Sequence, residues 1–315
     1  MTITVILCTH NRDLSLRKAL ESVSVSVMPE SIEWEVLVVD NNSTDQTQPV
    51  VEEFSRRHPG RFRYLYEPQP GKSFALNSGI REARGDVLAF MDDDVTVEPT
   101  WLQNVTAPLY SGQWAGVGGR ILAQWPSPPP HWVPLEGRNP LALLALFNLG
   151  LQSGPLSEPP FGTNMAFRRA IIEKYGGFRS DLGPRPGSEI RGEDTEFGRR
   201  LLQAGEQLWY EPSAVVYHPV PPHRLQQQYF LKWWLDKGRA NIREFGIPKD
   251  TKWFVMGVPL FLFRRLANWT LRWMIAVEPS RRFSRKIKVW TLAGEIVESY
   301  RQWHARRTET LGSSN

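Results

Sequence analysis

The first hundred residues alternate between short unbroken apolar runs and longer stretches with apolar residues on one helical face. "ITVILCT" (3–9), "WEVLVVD" (34–40), "FRYLYE" (62–67) and "VLAFMD" (87–92) are runs of strand length, rich in β-branched residues. Such runs are the mark of strands buried on both faces. Between them lie three expected helices: one capped by Asp13 or Ser15 and running through Val25, one from Gln46 to Arg57, and one over 72–83 closed by Gly85. Strands alternating with helices of about 10–15 residues imply right-handed βαβ units and a parallel sheet, hence an open α/β fold.

Beyond Trp101 the pattern loosens. "AGVGGRILAQW" (115–125) reads as a strand, "PSPPPHWVP" (126–134) as a Pro-rich loop, and "LALLALFNLGL" (141–151) as a helix or core segment. "PFGTNMAFRRAIIEKYGGF" (160–178) gives a loop, a short strand and a helix. "SDLGPRPGSEIRGED" (180–194) is too rich in Gly and Pro for regular structure, and so long a loop in a compact domain is usually functional. "DTEFGRRLLQAG" (194–205) is a helix capped by Glu193 or Asp194, and "EQLWYEP" and "AVVYHPV" are two closing strands.

In an open α/β sheet, ligands sit beyond the carboxyl ends of the strands. Three polar clusters fall there: "THNR" after the first strand, "DNNSTD" after the second and "DDD" after the fourth. Asp92, Asp93 and Asp94 directly follow an apolar run, and burying ionised carboxylates is costly unless something positive neutralises them. Carboxylates in that place suit a hard divalent cation completed by substrate phosphates. Glu193 and Asp194 form a second acidic pair, readable either as a plain helix cap or as a general base at the mouth of the site. Spacing leaves both readings open.

Charge adds a division of the chain. Of 315 residues, 223–315 hold 18 Lys and Arg against 7 Asp and Glu, while 1–222 hold 20 against 26. Seven of the thirteen Trp also fall after residue 222. A mildly acidic body with a basic, Trp-rich tail points to two tasks. No run reaches the roughly 20 apolar residues of a spanning helix, and no signal peptide is expected from "MTITVILCTHNR". The single cysteine, Cys8, has no intrachain partner, which suits a reducing compartment.

"VILCTHNR", "VLVVDNNSTDQT", "GKSFALNSGIREARGDVLAFMDDDV", "GTNMAFRR" and "GEDTEFGRRLLQAG", in that order, resemble glycosyltransferase family 2 with its GT-A fold over roughly residues 1–220. The resemblance implies a GT-A catalytic domain over 1–222, with a nucleotide-sugar half (1–114) and an acceptor half (115–222), followed by a helical tail (223–315). It implies inverting transfer from a nucleotide diphosphate sugar, a UDP-sugar being favoured, to a hydroxyl acceptor; a lipid-linked or cell-surface glycan precursor is expected only from the character of the tail. Mn²⁺ or Mg²⁺ would be the cofactor. By the same resemblance Thr9, Asn11, Arg12, Asp40, Lys72, Asp92 and Asp93 would bind the nucleotide sugar. Asp92, Asp94 and His218 would hold the metal, Asp194 beside Glu193 would be the base, and Gly162 and Asn164 would belong to an acceptor or donor loop.

The Gln-x-x-Arg-Trp motif of polymerising relatives is missing, so one sugar per encounter is expected. A nucleotidyltransferase would put a Gly-rich basic loop after the first strand, and "CTHNRDLS" has no Gly. A nucleic-acid-binding module would leave both acidic clusters without purpose and repelling phosphates. The tail, with "YFLKWWLDKGRANIREF" (229–245), "WFVMGVPLFLF" (253–263) and "PSRRFSRKIKVW" (279–290), interleaves aromatic residues and cations. It is read as attachment to an anionic membrane surface from the cytoplasmic side, the rival being packing on the protein or on a second copy.

Overall fold

The computed structural model describes residues 2–133, 142–144, 146–187 and 190–312. Parts of the segments read from sequence as 126–134, 141–151 and 180–194 lie outside the described residues. The chain divides into two compact units: Met1–Gln124 with Leu144–Pro186 and Glu193–Pro219, and Trp125–Leu143 with Gly187–Gly192 and Val220–Asn315.

The first unit follows the predicted alternation. β1 (Thr2–Thr9), α1 (Asp13–Ser24), β2 (Glu33–Asp40), α2 (Thr47–Arg57), β3 (Phe62–Tyr66), α3 (Lys72–Glu82) and β4 (Val87–Asp92) come in turn, then the short β5 (Thr96–Val97) and α4 (Trp101–Thr106). β6 (Gly116–Gln124), β7 (Gly154–Leu156), β8 (Asn164–Arg168), α5 (Arg169–Tyr175), α6 (Glu193–Gln203) and β9 (Leu208–Pro219) complete it. The sheet order is β3-β2-β1-β4-β8-β6-β9-β5, with β7 also pairing β9. β3, β2, β1 and β4 are mutually parallel, as expected of βαβ units. The sheet then turns mixed, because β8 runs antiparallel to both β4 and β6.

Successive residues of each strand serve opposite faces. Ile3, Val5 and Leu7 join Leu16, Leu20, Val51, Phe54 and Trp101 in one core layer. Ile6, Leu37 and Phe90 join Leu76, Ile171, Phe197 and Leu201 in the other. Hence α1, α2 and α4 cover one face and α3, α5 and α6 the other, which is why the strand sequences are apolar throughout. The two closing strands expected at 206–220 are one strand, β9, whose register against β6 shifts between Gly119 and Arg120. That irregularity absorbs Pro212, Ser213 and Ala214, of which Pro212 and Ser213 break the run in the sequence.

The second unit is built from α7 (Gln227–Phe245), a hairpin of β10 (Phe254–Val255) and β11 (Val258–Pro259), α8 (Leu260–Met274) and α9 (Pro279–Gly312). α7 and α9 cross with their backbones nearly touching: a Cβ on Gly238 would stand 1.9 Å from the Thr291 carbonyl oxygen, and one on Gly294 1.9 Å from that of Leu235. Around this crossing Glu298 accepts from Arg243 at 2.6 Å and Asp236 pairs with Arg239 at 2.8 Å. Trp132 packs edge-on against Phe230 and Phe283. Among the described residues no helix is long and apolar enough to cross a membrane.

Candidate active site

The β4 register places Asp92 beside Cys8 of β1, and parallel pairing puts Thr9 opposite Asp40 at the end of β2. The three polar clusters therefore share one rim of the sheet. The loop after β1 is bent there by Asn11, which sits at φ 52°. Asn11 is pinned by its N–H to Ser43 Oγ at 2.9 Å and by its Oδ1, which accepts from the Thr44 N–H at 2.7 Å. An Asn tolerates the left-handed conformation better than most residues. The bend delivers Arg12, whose Nη1 donates to Asp93 Oδ1 at 3.0 Å and Asp94 Oδ2 at 2.9 Å.

Each of the three aspartates has a cation or a donor of the chain's own. Lys72, the first residue of α3, donates to Asp92 Oδ1 at 2.6 Å and lies 3.8 Å from Glu193 Oε1. Thr163 Oγ1 donates to the other Asp92 oxygen at 2.6 Å. Burial alone would raise Asp92, but Lys72 outweighs it and holds the carboxyl well below the usual range. The same pairing holds the Lys72 ammonium above its ordinary value against its own burial, which acts the other way. Asp93 is the contrasting member: burial pushes it up to about 6, with repulsion from Asp94 adding and Arg12 opposing.

Asp92 was expected among the metal ligands. It accepts from Lys72 on one oxygen and from Thr163 on the other, as Asp94 accepts from Arg12. Asp94 is placed differently: its Oδ1 faces His218 Nε2 at 3.7 Å, and His218 is buried at the end of β9. Among the described residues no group of three or more His, Cys, Asp or Glu forms a ready-made cage. A carboxylate and an imidazole at a partly open rim nevertheless fit Mn²⁺ or Mg²⁺, which take few protein ligands and complete their shell with water and phosphate.

Asp40 is buried, accepting from Tyr64 Oη at 2.8 Å and from the Ser43 N–H at 2.9 Å. Beside it Asn41, which sequence reasoning missed, donates to the Glu67 and Gln69 carbonyls and accepts from the Gly71 N–H at 2.7 Å. It thereby fixes the turn that presents Lys72. The doubled Asn in "DNN" was the only available signal.

On the far side of the rim, Asp194 lies in the first turn of α6. Its Oδ2 accepts from the Gly162 N–H at 2.7 Å and its Oδ1 from the Thr195 N–H at 2.6 Å. Gly162 and Thr163 thus tie Asp194 and Asp92 through two consecutive residues. Asn164, expected in the same loop, is buried: its amide donates to the Arg120 and Ala214 carbonyls and accepts from Trp101 Nε1. Those three bonds anchor the end of the Gly162–Thr163 loop inside the sheet, where Asn164 opens β8.

Paired carboxylates, a positioned lysine and a candidate base gather at the carboxyl rim of an open sheet, where such folds bind ligands. The family "Glycosyl transferase family 2" matches residues 4–176, and the chain belongs to it. It is 26% identical over 221 residues to glycosyltransferase AglE of Haloferax volcanii, covering 70% of this chain and 67% of that protein. It is 24% identical over 246 residues to the glucosyl-dolichyl phosphate glucuronosyltransferase of the same organism, covering 74% and 75%. The fold matches mannosyltransferase PcManGT of Pyrobaculum calidifontis, solved with GDP-mannose and Mn²⁺, at TM-score 0.64 and 18% identity over 94% of this chain and 86% of that one. The protein is a glycosyltransferase of the GT-A fold.

Proposed function

We propose that the enzyme moves one sugar, with inversion, from a UDP-sugar to a hydroxyl of a lipid-linked or cell-surface glycan precursor, using Mn²⁺ or Mg²⁺. The carrying observation is the Gly162–Thr163 pair, which holds the candidate base Asp194 and the diphosphate-side Asp92 in one frame. An acceptor that carries a lipid is supported by the dolichyl-phosphate relative. Such an acceptor suits an enzyme held peripherally on the cytoplasmic membrane face by its basic second unit.

In this reading Thr9, Asn11 and Asp40 line the base and ribose pocket, and Asp40 retains lone pairs for a base N–H beside its bonds to Tyr64 and Ser43. Lys72 neutralises Asp92 and Glu193, leaving Asp94 and His218 to hold the cation. When bound, the cation supplies positive charge to the departing diphosphate. Arg12, bonded to Asp93 and Asp94, adds a second positive group on that side. Asp194, oriented by the Gly162 and Thr195 N–H groups, takes the proton of the acceptor hydroxyl as it attacks the face opposite the leaving group.

The test combines chelation, Asp94→Ala and a donor screen. EDTA is expected to abolish transfer and Asp94→Ala to lose it even at saturating donor. In Mn²⁺, UDP is expected to raise the melting temperature more than GDP. Full turnover in chelator would reject the metal, and a larger shift with GDP would reject the uridine assignment alone.

A further inference from the structure

α8 is apolar on two sides. Leu262, Leu266 and Trp269 pack towards Leu292 and Ile296 of α9. Phe263, Ala267, Leu271 and Met274, spaced by four, four and three residues, form a second stripe that faces solvent. The stripe continues through Ile275 to Val277, which is 93% exposed. At 100° per residue, Arg264, Arg265, Asn268 and Arg272 fall on a strip beside it.

The same signal recurs just before the helix. β10 and β11 are joined by the two-residue turn Met256-Gly257, with φ 49° and 74°. Such turns favour Asn-Gly or Asp-Gly, because both positions need positive φ. Gly257 also has no room for a side chain, since a Cβ there would stand 2.1 Å from Trp303 Cβ. The first position nevertheless carries Met256, 67% exposed, next to exposed Val255, Phe254 and Trp253, the last at 74%. A bulky apolar residue there costs strain and gains no burial within the chain. Between the segment leading into the hairpin and the first turn of α8 lies a pocket of about 290 Å³ lined by Lys252, Trp253, Phe261 and Arg264, with Asp250 also in its wall.

We infer that the hairpin tip and the solvent-facing stripe of α8 form a docking surface for an anionic lipid bilayer, with a headgroup phosphate taken between Lys252 and Arg264. The inference rests on the peripheral attachment proposed above and assigns it to a particular surface. Charge selects the occupant: residues 250–290 hold nine Lys and Arg against two acidic residues, Asp250 and Glu278. Trp, Phe and Met at the tip suit the headgroup–acyl boundary, and the arginine strip suits lipid phosphates beside it. A second copy laid on the same stripe would bring two sets of Arg264, Arg265 and Arg272 together, which is repulsive.

The test is co-sedimentation of the full-length protein with vesicles of phosphatidylcholine alone and with added phosphatidylglycerol, alongside thermal melts. Met256→Asn with Trp253→Ser removes the apolar tip while giving the turn a residue it favours, so a loss of binding does not come from a broken turn. Wild type is expected to pellet with the anionic vesicles and to stay in solution with the neutral ones. The tip variant is expected to partition at least about tenfold less at unchanged melting temperature. Arg264→Gln with Arg272→Gln is expected to lose roughly fivefold per cation removed. If both variants pellet like wild type, this surface is rejected and attachment lies elsewhere. If wild type stays in the supernatant with both vesicles, the attachment reading falls with it. A dimer in light scattering that the tip variant abolishes would give the surface to a second copy and also overturn the inference.

Discussion

Asp93 and Asp194 are two carboxylates whose surroundings assign them different behaviour. Asp93 is crowded by Asp94 and buried, so the folded chain binds its proton up to about pH 6, whereas an unfolded Asp releases it near 3.9. The folded-state value is raised. Its contribution is therefore complete below about pH 4 and declines as pH rises through about 6. In metal-free buffer, Asp93→Asn should match wild type in stability near pH 4 and gain on the order of 2 kcal/mol by pH 8. A difference that does not change with pH in denaturant melts would refute this assignment. Asp194→Asn keeps size and removes basicity, and its single amide oxygen still accepts one of the two N–H bonds from Gly162 and Thr195. Nucleotide binding should survive by calorimetry while kcat falls about 10²-fold or more. If Glu193→Gln shows that pattern and Asp194→Asn does not, the base is the other member of the pair.

At the scale of elements, the parallel half of the sheet was legible because each strand is buried on both faces and so reads as an unbroken apolar run. The rim was legible for the opposite reason: charge appears abruptly where those runs end. What escaped depends on distance along the chain. Thr163 meets Asp92 across 71 residues and Asn164 meets Trp101 across 63, and no local pattern announces either contact. β9 hid because Pro212 interrupts its run, while the irregularity that tolerates it is visible only against β6. The β10–β11 hairpin hid because Met256-Gly257 lacks the usual turn residues. The crossing of α7 and α9 gives a direct check on element packing. Gly238→Ala drives a methyl into the Thr291 carbonyl, so the helices must separate, at a cost of about 1–3 kcal/mol or more. Chemical denaturation should show that loss, and an unchanged midpoint would mean that the helices do not approach so closely in solution.

At the scale of the whole molecule, two compact units divide the work by composition as well as by packing. The acidic, α/β unit carries the rim proposed to be reactive, and the basic, Trp-rich unit carries the surface proposed to meet lipid. The central claim concerns the first: a single displacement, promoted by Asp194, at the carboxyl rim of the sheet. Time-resolved proton NMR of the purified enzyme with diamagnetic Mg²⁺ and an α-linked UDP-sugar, water serving as acceptor, reads that step directly. The account predicts that the first sugar released shows the β-anomeric proton, together with nucleoside diphosphate. An α-anomer appearing first, or pyrophosphate released in its place, would contradict it.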